Sequence, residues 1–263
     1  MRIIILVTIA FISSTFSGCP SQPGEARQIS SVPTTTEVKG DKRPVLIELF
    51  TSEGCSSCPP ADRLLSELNT SQPVANAEII ALGFHVDYWD GIGWRDRFSS
   101  RSYTKRQEAY SSKFNIGSTY TPQAVVDGST EFVGSSRGKA LDAIAKNADI
   151  QKGTVELKIN NGKLSVRVAG LGSHTDAVVY LAVAESSLVT QVGGGENVGE
   201  KLTHTAVVRD LRQIGKADGK AVETNFEVLL PVNADWKAEN TRYVIFVQEN
   251  SSMRILAVNQ IAQ

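Results

Sequence analysis

The sequence predicts two folded units: an α/β unit over residues 44–150 and a mostly-β, sandwich-like unit over residues 151–263. In the first unit, short continuous apolar runs alternate with segments of helical period. In the second, apolar residues recur at every other position, which is typical of half-buried strands. Residues 20–43 have neither pattern, and 263 residues are enough for two ordinary domains.

The composition excludes several classes of protein. With 41% hydrophobic and 21% charged residues, the chain is not disordered, collagen-like or a multi-span membrane protein. A formal net charge of −1 provides no basic surplus, so no nucleic-acid partner is expected. Three cysteines are too few for a disulfide scaffold, and the odd number leaves at least one of them unpaired.

Residues 1–18 are predicted to be a signal peptide of the lipoprotein type. Arg2 precedes an apolar run over residues 3–12, which is shorter than the about 20 residues that a membrane-spanning helix needs. The small residues after this run end at Cys19, which resembles the lipid-attachment cysteine of a bacterial lipoprotein, although Phe16 stands where leucine is usual. Plain cleavage without lipidation is the alternative.

Residues 19–43 are predicted to form a flexible linker that starts at the lipidated cysteine, because they are rich in proline, serine, threonine and charge. The lipid would anchor the protein to a membrane of the cell envelope, and the folded part would face the periplasm or the exterior. The expected partners are therefore a membrane, through this lipid, and other exported proteins.

The first unit begins with a buried strand over residues 44–50, followed by a loop that carries Cys55 and Cys58. Pro59 and Pro60 fit the first turn of a helix, where the backbone N–H has no partner within the helix. The apolar stripe of that helix consists of Ala61, Leu64, Leu65 and Leu68. Cys55 is therefore expected just before the helix N-terminus, and Cys58 at its start.

The rest of the first unit alternates in the same way. The pair Asp127–Gly128 is typical of a hairpin turn between two strands. The predicted elements are a strand over 79–86, an aromatic and acidic loop over 87–94, a polar helix over 96–115, strands over 123–126 and 131–133, and a helix over 141–148.

The second unit is predicted to contain about seven strands. The turn Asn161–Gly162 joins two alternating segments. The three glycines at 193–195 are interpreted as the end of a flexible hairpin, because a phosphate loop would require a lysine and a helix after them. This number of strands favours a β-sandwich. The predicted strands cover 155–159, 164–168, 177–184, 205–208, 226–230, 243–248 and 255–261.

Three strings carry a resemblance to a known family: ELFTSEGCSSCPPAD at 48–62, FHVDYWD at 84–90 and YTPQAVVDG at 120–128. They resemble the thioredoxin-like family of secreted bacterial proteins catalogued as domain of unknown function family 1223. The resemblance extends over nearly everything after the linker. It implies that the α/β unit is a thioredoxin-like N-terminal domain, followed by the mostly-β C-terminal domain.

The resemblance also implies a redox site. Cys55 would be the exposed nucleophile, and Cys58 would resolve the mixed disulfide. Pro122 would be cis and face the pair, and Thr121 would offer backbone groups to a docked substrate chain. A helix N-terminus favours the thiolate form of such a cysteine. The predicted function is an exported thiol–disulfide oxidoreductase that acts on the thiols or disulfides of another exported protein, with no cofactor.

Three side chains are predicted to support this site: His85, Asp87 and Trp89. Aromatic residues provide contact area for a partner and carboxylates can move protons, but the same residues also suit a lid on the core. His204 lies in a string that is similar to one in the family, so it either faces the redox site or is an ordinary hydrogen-bonded histidine.

Two alternative functions remain open at this point. The chain would be a periplasmic metal-handling protein, with copper as the metal, if Cys55, Cys58 and His85 were its ligands. It would be a structural envelope lipoprotein if the cysteine pair formed an inert disulfide.

Overall fold

The computed structural model describes residues 42–217 and 222–263. The predicted signal peptide, Cys19 and most of the linker therefore lie outside the described residues. Arg43, which the prediction assigned to the linker, begins the first strand, and its guanidinium donates to the carbonyl of Asp149 at 2.9 Å. Within the described part of the chain, no helix is long and apolar enough to span a membrane.

Strands dominate the described residues, which contain three α-helices. The helices are α1 (Pro59–Ser71), α2 (Arg101–Lys113) and α3 (Arg137–Ala148). The strands are β1 (Arg43–Thr51), β2 (Ala77–His85), β3 (Gln123–Val126), β4 (Thr130–Val133), β5 (Thr154–Asn160), β6 (Lys163–Ala169), β7 (Ala177–Glu185), β8 (Leu188–Gln191), β9 (Lys201–His204), β10 (Val207–Ala217), β11 (Glu223–Leu229), β12 (Thr241–Glu249) and β13 (Ile255–Ala262).

One mixed sheet of eight strands joins the two halves of the chain, in the order β13-β12-β7-β10-β2-β1-β3-β4. The prediction of an α/β thioredoxin-like N-terminal domain followed by a separate, sandwich-like β domain is therefore wrong. A three-stranded sheet, β11-β6-β5, and the hairpin β8–β9 complete the described strands. The error lies in the assembly of the strands, because most of the predicted strands and helices are present.

The two halves meet where β10 pairs in parallel with β2, with Val207 opposite Gly83. The Gly83 N–H donates to the carbonyl of Ala206 at 2.7 Å. Without this pairing, the edges of both strands would carry backbone N–H and carbonyl groups that lack hydrogen-bond partners. Such groups are costly when they are buried. This pairing extends the sheet of the first half into the second half, which is why no separate second domain forms.

Strand β7 is buried on both faces, because it lies between two hydrophobic cores. Val179, Leu181 and Val183 pack into a core shared with the three-stranded sheet. Ala182 and Ala184 point to the opposite face and join the core formed with β1 and β2. Successive side chains of a strand alternate between faces, so a strand between two cores becomes continuously apolar.

The turn between β3 and β4 is held by a buried carboxylate. Asp127 is 3% exposed, and its Oδ1 accepts a hydrogen bond from the Leu46 N–H at 2.9 Å. Its Oδ2 lies 2.5 Å from Lys152 Nζ. The next residue, Gly128, has a φ of 63°, and a Cβ there would lie 1.9 Å from the carbonyl oxygen of Met253. Only glycine fits this turn.

Replacing Asp127 with asparagine is expected to remove a pH dependence from the stability of the fold. Burial raises the pKa of Asp127 to about 6 from its ordinary value of 3.8, although Lys152 opposes the shift. Between these values the folded state holds more protons than the unfolded state, so the free energy of unfolding falls as pH rises. At about 1.4 kcal/mol per pKa unit, the change amounts to about 3 kcal/mol.

Chemical denaturation of both proteins between about pH 3.5 and 7 measures this effect. The wild-type protein should lose stability relative to Asp127→Asn as the pH rises through this range. A difference in stability that stays constant with pH would contradict the expectation.

Candidate functional site

A disulfide joins Cys55 and Cys58 at the start of α1. Cys58 is the N-cap residue of the helix, and Pro59 and Pro60 occupy its first positions, as the sequence predicts. The Cys58 N–H donates to the carbonyl of Cys55 at 3.1 Å. Both cysteines are 0% exposed, although the resemblance implied that Cys55 would be exposed. The pair is where the sequence placed it, but it is covered.

Thr121 and Pro122 lie beside this disulfide loop and are joined by a cis peptide bond, as the resemblance implied. The Ser57 hydroxyl donates to the carbonyl of Thr121 at 3.5 Å. A Cβ on Gly134 would lie 3.3 Å from Pro122 Cβ and 3.4 Å from Ala61 Cβ, which places the proline near the first turn of α1.

Of the three predicted supporting residues, Trp89 and His85 lie at the site and Asp87 is anchored elsewhere. Trp89 Nε1 donates to Thr121 Oγ1 at 2.8 Å. The half-buried Asp87 instead accepts a hydrogen bond from Thr104 Oγ1 of α2 at 2.5 Å. The aromatic loop therefore contributes side chains to both the site and the packing of α2.

Five ionisable side chains meet behind the disulfide loop and form what we call the acid–histidine cluster. The cluster consists of Glu53, Asp62, His85, Asp96 and His204. Asp62 belongs to α1, His85 ends β2, and His204 ends β9 in the second half of the chain. The two imidazole rings are 5.0 Å apart between centroids.

Two carboxylates of the cluster each accept a hydrogen bond from a histidine. His85 Nδ1 donates to Asp96 Oδ2 at 2.6 Å, and His204 Nε2 donates to Glu53 Oε1 at 3.1 Å. The Glu53 N–H also donates to Asp96 Oδ2 at 2.9 Å, which connects the two pairs. Trp94 Nε1 donates to Glu53 Oε2 at 2.8 Å. Buried carboxylates are stable only with such partners.

The surroundings separate the pKa values of these groups. Burial by itself would raise the pKa of both Glu53 and Asp96. Hydrogen bonds, above all the one from His204, bring the pKa of Glu53 below its ordinary value, and the charge and hydrogen bond of His85 do the same for Asp96. Burial would lower the pKa of His85, and Asp96 raises it. Burial raises the pKa of Asp62 by more than the charges of His85 and His204 lower it. Asp62 therefore differs from the other two carboxyls, because it takes up a proton more readily.

A cavity of about 10 Å³ lies inside the cluster, which is room for about one water molecule. Among the described residues, His204 Nδ1 has no hydrogen-bond partner. Asp62 lies one helical turn after Cys58, with its N–H bonded to the Cys58 carbonyl at 3.1 Å, so the two side chains share a face of α1. The cavity is lined by Thr51, Asp62, Leu65, Gly83, His85, His204 and Thr205.

The connection between β8 and β9, which we call the hairpin tip (residues 192–200), binds the disulfide loop from outside. Asn197 Nδ2 donates to the carbonyl oxygens of Glu53 at 2.8 Å and Cys55 at 2.9 Å. The Ser56 N–H donates to Glu196 Oε2 at 3.0 Å. The second half of the chain therefore contributes two parts to the site. His204 belongs to the acid–histidine cluster, and the hairpin tip is hydrogen-bonded to the backbone of the disulfide loop.

The alternative metal site receives no support from this geometry. His85 is 2% exposed, and its Nδ1 is hydrogen-bonded to Asp96. In the described ranges, no three histidine, cysteine, aspartate or glutamate side chains are arranged to hold a metal ion.

The sequence reading missed the contributions of Glu53, Asp62, Asp96, Glu196 and Asn197. The spacing of Asp62 could have identified it. It lies four positions after Cys58 and three before the apolar Leu65, which places a charged residue on the same face of the helix as both. Glu53 lies within the string that carries the resemblance, two residues before Cys55. Asn197 and Glu196 had no local signal, because they contact residues more than 130 positions away in the chain.

Comparisons with known proteins identify a family but no activity. A crystal structure of a protein from Agrobacterium tumefaciens has a TM-score of 0.66 and 25% sequence identity to this chain, and the match covers 84% of this chain and 94% of that one. No curated protein matches the sequence.

Two other solved structures are too dissimilar to support a conclusion. A domain of the outer membrane lipoprotein Omp28 from Porphyromonas gingivalis has a TM-score of 0.23 and 14% identity, over 42% of this chain and 94% of that one. A β-glucuronidase from Ruminococcus gnavus has a TM-score of 0.20 and 13% identity, over 43% of this chain and 15% of that one. The family is clear by contrast: the model described as "Protein of unknown function (DUF1223)" matches residues 46–248, so the chain belongs to this family.

Proposed function

We propose that the protein is a thiol–disulfide oxidoreductase that acts on exported proteins through Cys55 and Cys58. One observation carries the proposal: the disulfide lies at the N-terminus of α1, and Asp62 of the acid–histidine cluster follows Cys58 by one helical turn. The chemistry resembles that of thioredoxins, although one eight-stranded sheet joins both halves of the described chain.

The helix N-terminus supports the reactivity of the reduced pair. A helix carries about half a positive charge at this end. In α1 this charge acts without free N–H donors, because Pro59 and Pro60 have none and the N–H groups of Ala61 and Asp62 are bonded to the Cys58 carbonyl. The charge stabilises a thiolate, and such a site can lower the pKa of a cysteine from about 8.5 into the range of about 3.5–7.5. The disulfide closes a very short loop and therefore restricts the unfolded chain only a little. It contributes little stability in this way, which argues against a purely structural role.

The exchange reaction uses both cysteines. The Cys55 thiolate attacks a disulfide of the partner, forms a mixed disulfide and releases one partner thiolate. Cys58 then loses its proton and attacks Cys55 Sγ, which forms the Cys55–Cys58 bond and releases the second partner thiolate. The partner disulfide is reduced by two electrons and the cysteine pair is oxidised, and the reverse sequence oxidises a partner dithiol.

Asp62 is positioned to accept the proton of Cys58 in the second step. It lies on the same face of α1 one turn later, and burial raises its pKa, which makes it a stronger base than an exposed carboxylate. His204 and His85 line the cavity beside it and provide further groups for the proton. Export, lipid anchoring at Cys19 and a membrane as partner belong to the same proposal and rest on the N-terminal sequence.

Trapping a partner tests the proposal. In cells that express Cys58→Ser, Cys55 is expected to accumulate as a mixed disulfide with an exported protein, because the resolving thiol is missing. Cys55→Ser is the matched control and should trap nothing. In the purified wild-type protein, the pKa of Cys55 should be below about 7.5, and the reduction potential should lie between about −270 and −120 mV.

An inert disulfide predicts different values. A reduction potential below about −300 mV, with an unshifted pKa of the Cys55 thiol and no trapped partner, would replace the redox function by a structural one.

A further inference from the structure

The disulfide is covered in this structure, and a reactive disulfide must be reached. A partner thiolate has to approach a sulfur atom closely and in line with the bond that breaks, yet both cysteines are 0% exposed. Access to Cys55 therefore requires that some part of the cover moves. The hairpin tip is the segment of the second half of the chain that is hydrogen-bonded to the disulfide loop.

Three hydrogen bonds hold the hairpin tip on the disulfide loop. Two come from the Asn197 carboxamide, which is bonded to the carbonyls on either side of Gly54, and Asn197 is only 6% exposed. The third joins the Glu196 carboxylate to the Ser56 N–H. Because Glu196 is exposed, water can replace the carboxylate at low cost when the tip moves.

Glycines let the hairpin tip lie close against the aromatic loop. A Cβ on Gly194 would lie 2.3 Å from the carbonyl oxygen of Gly93, and one on Gly193 would lie 3.0 Å from the Trp94 ring. The tip is joined to strands β8 and β9, which form a two-stranded sheet outside the eight-stranded one. An isolated two-stranded hairpin is marginally stable, so the tip can move without disturbing the large sheet.

We propose that the hairpin tip is a gate that determines which thiols reach Cys55, with Asn197 and Glu196 as its latch. This inference rests on the proposed function, because a gate matters only if the disulfide reacts. When the gate opens, a partner thiolate bonds to Cys55 Sγ and the Cys55–Cys58 bond breaks. Cys58 leaves as a thiolate and takes a proton from the acid–histidine cluster, so the disulfide is reduced and the partner thiol is oxidised to a mixed disulfide.

The rate of disulfide reduction tests the gate. The reductants are dithiothreitol and glutathione, used on the purified full chain. The tryptophan fluorescence that is lost in Trp94→Phe reports on the tip, because Gly193 of the tip lies against the Trp94 ring. Asn197→Ala removes two hydrogen bonds and should raise the second-order rate constant by about 30-fold, at about fivefold for each net hydrogen bond. Glutathione, the bulkier reductant, should show the larger increase.

Two further variants separate gating from general destabilisation. Glu196→Gln changes only an exposed side chain and replaces the charged acceptor of the Ser56 N–H by a neutral amide oxygen, so it should raise the rate by about twofold. Glu200→Gln, which makes the same change at another exposed position of the hairpin tip, should leave the rate at the wild-type value.

The outcomes distinguish the gate from the proposed function. If the wild-type disulfide exchanges rapidly and neither Asn197→Ala nor Glu196→Gln accelerates it, the gate is wrong and the redox function stands. If both variants accelerate reduction but the reduction potential lies in the structural range, the gate is right and the redox function is wrong. A slower reaction in either variant would also overturn the gate, because the tip would then assist the exchange.

Discussion

Replacing Arg106 with methionine is expected to lower the free energy of unfolding by about 3–5 kcal/mol, which is the usual cost of leaving a buried charge without its partner. Arg106 of α2 is buried and donates to both oxygens of Glu48 on β1, at 2.5 and 2.9 Å. A third bond of 3.0 Å reaches Gln248 Oε1 of β12. The guanidinium therefore binds together one helix and one strand from each half of the chain.

The aromatic surroundings increase the effect. The guanidinium carbon lies 5.2–5.6 Å from the ring centroids of Phe84, Tyr110, Tyr180 and Phe246. In Arg106→Met the Glu48 carboxylate stays buried in this apolar region. Of the side chains in residues 42–217 and 222–263 that donate to it, Tyr110 remains, with its hydroxyl 2.5 Å from Glu48 Oε1. The loss is a large part of the about 5–15 kcal/mol that stabilises an ordinary protein.

Urea denaturation measures the effect, with Arg167→Met as the matched control. Arg167 forms ion pairs with Glu156 and Glu223, but all three side chains are solvent-exposed, so its loss should cost less than about 1 kcal/mol. The double variant Glu48→Gln/Arg106→Met should recover part of the loss, because it removes the unpaired charge. Equal effects of the buried and the exposed substitutions would contradict the expectation.

Replacing Asp62 with asparagine is expected to slow the resolution of the mixed disulfide by about 100-fold near neutral pH, if the protein performs the proposed exchange. General-base catalysis contributes about 10²–10⁴-fold, and Asp62 is the carboxyl of the cluster whose pKa is raised. An amide of the same shape cannot accept the proton of Cys58. The measurement is the single-turnover rate of release of a partner thiol from the mixed disulfide at Cys55.

The pH profile separates proton transfer from a merely structural role. The wild-type rate should fall as the pH drops through the raised pKa of Asp62, because the base form disappears there. In Asp62→Asn this dependence should be absent. Glu67→Gln, an acid-to-amide change at an exposed position of the same helix, is the control and should keep the wild-type rate and profile. An Asp62→Asn protein with the wild-type rate would exclude Asp62 as the proton acceptor.

Local patterns predicted the elements of the chain well and their assembly poorly. The helix after Cys58 and the strands around Gly83 and Val125 lie close to where periodicity placed them, because each depends on residues within one turn or one strand. The short strands β8 and β9 were missed, since four residues do not establish a period. The parallel pairing of β10 with β2 joins residues 124 positions apart, and no local pattern records it.

The same division applies to the candidate site. The sequence by itself determined the cysteine pair and its position at the start of a helix, because fixed spacing and proline chemistry act over a few residues. The place of Thr121 and Pro122 beside the pair was implied by the family resemblance, since these residues lie more than 60 positions further along the chain. Only the tertiary structure decided that His204 lies against Glu53, and that Asn197 covers the disulfide loop. These contacts span 151 and 144 positions. They exist because β10 adds to the edge of β2 and brings the second half of the chain over the first.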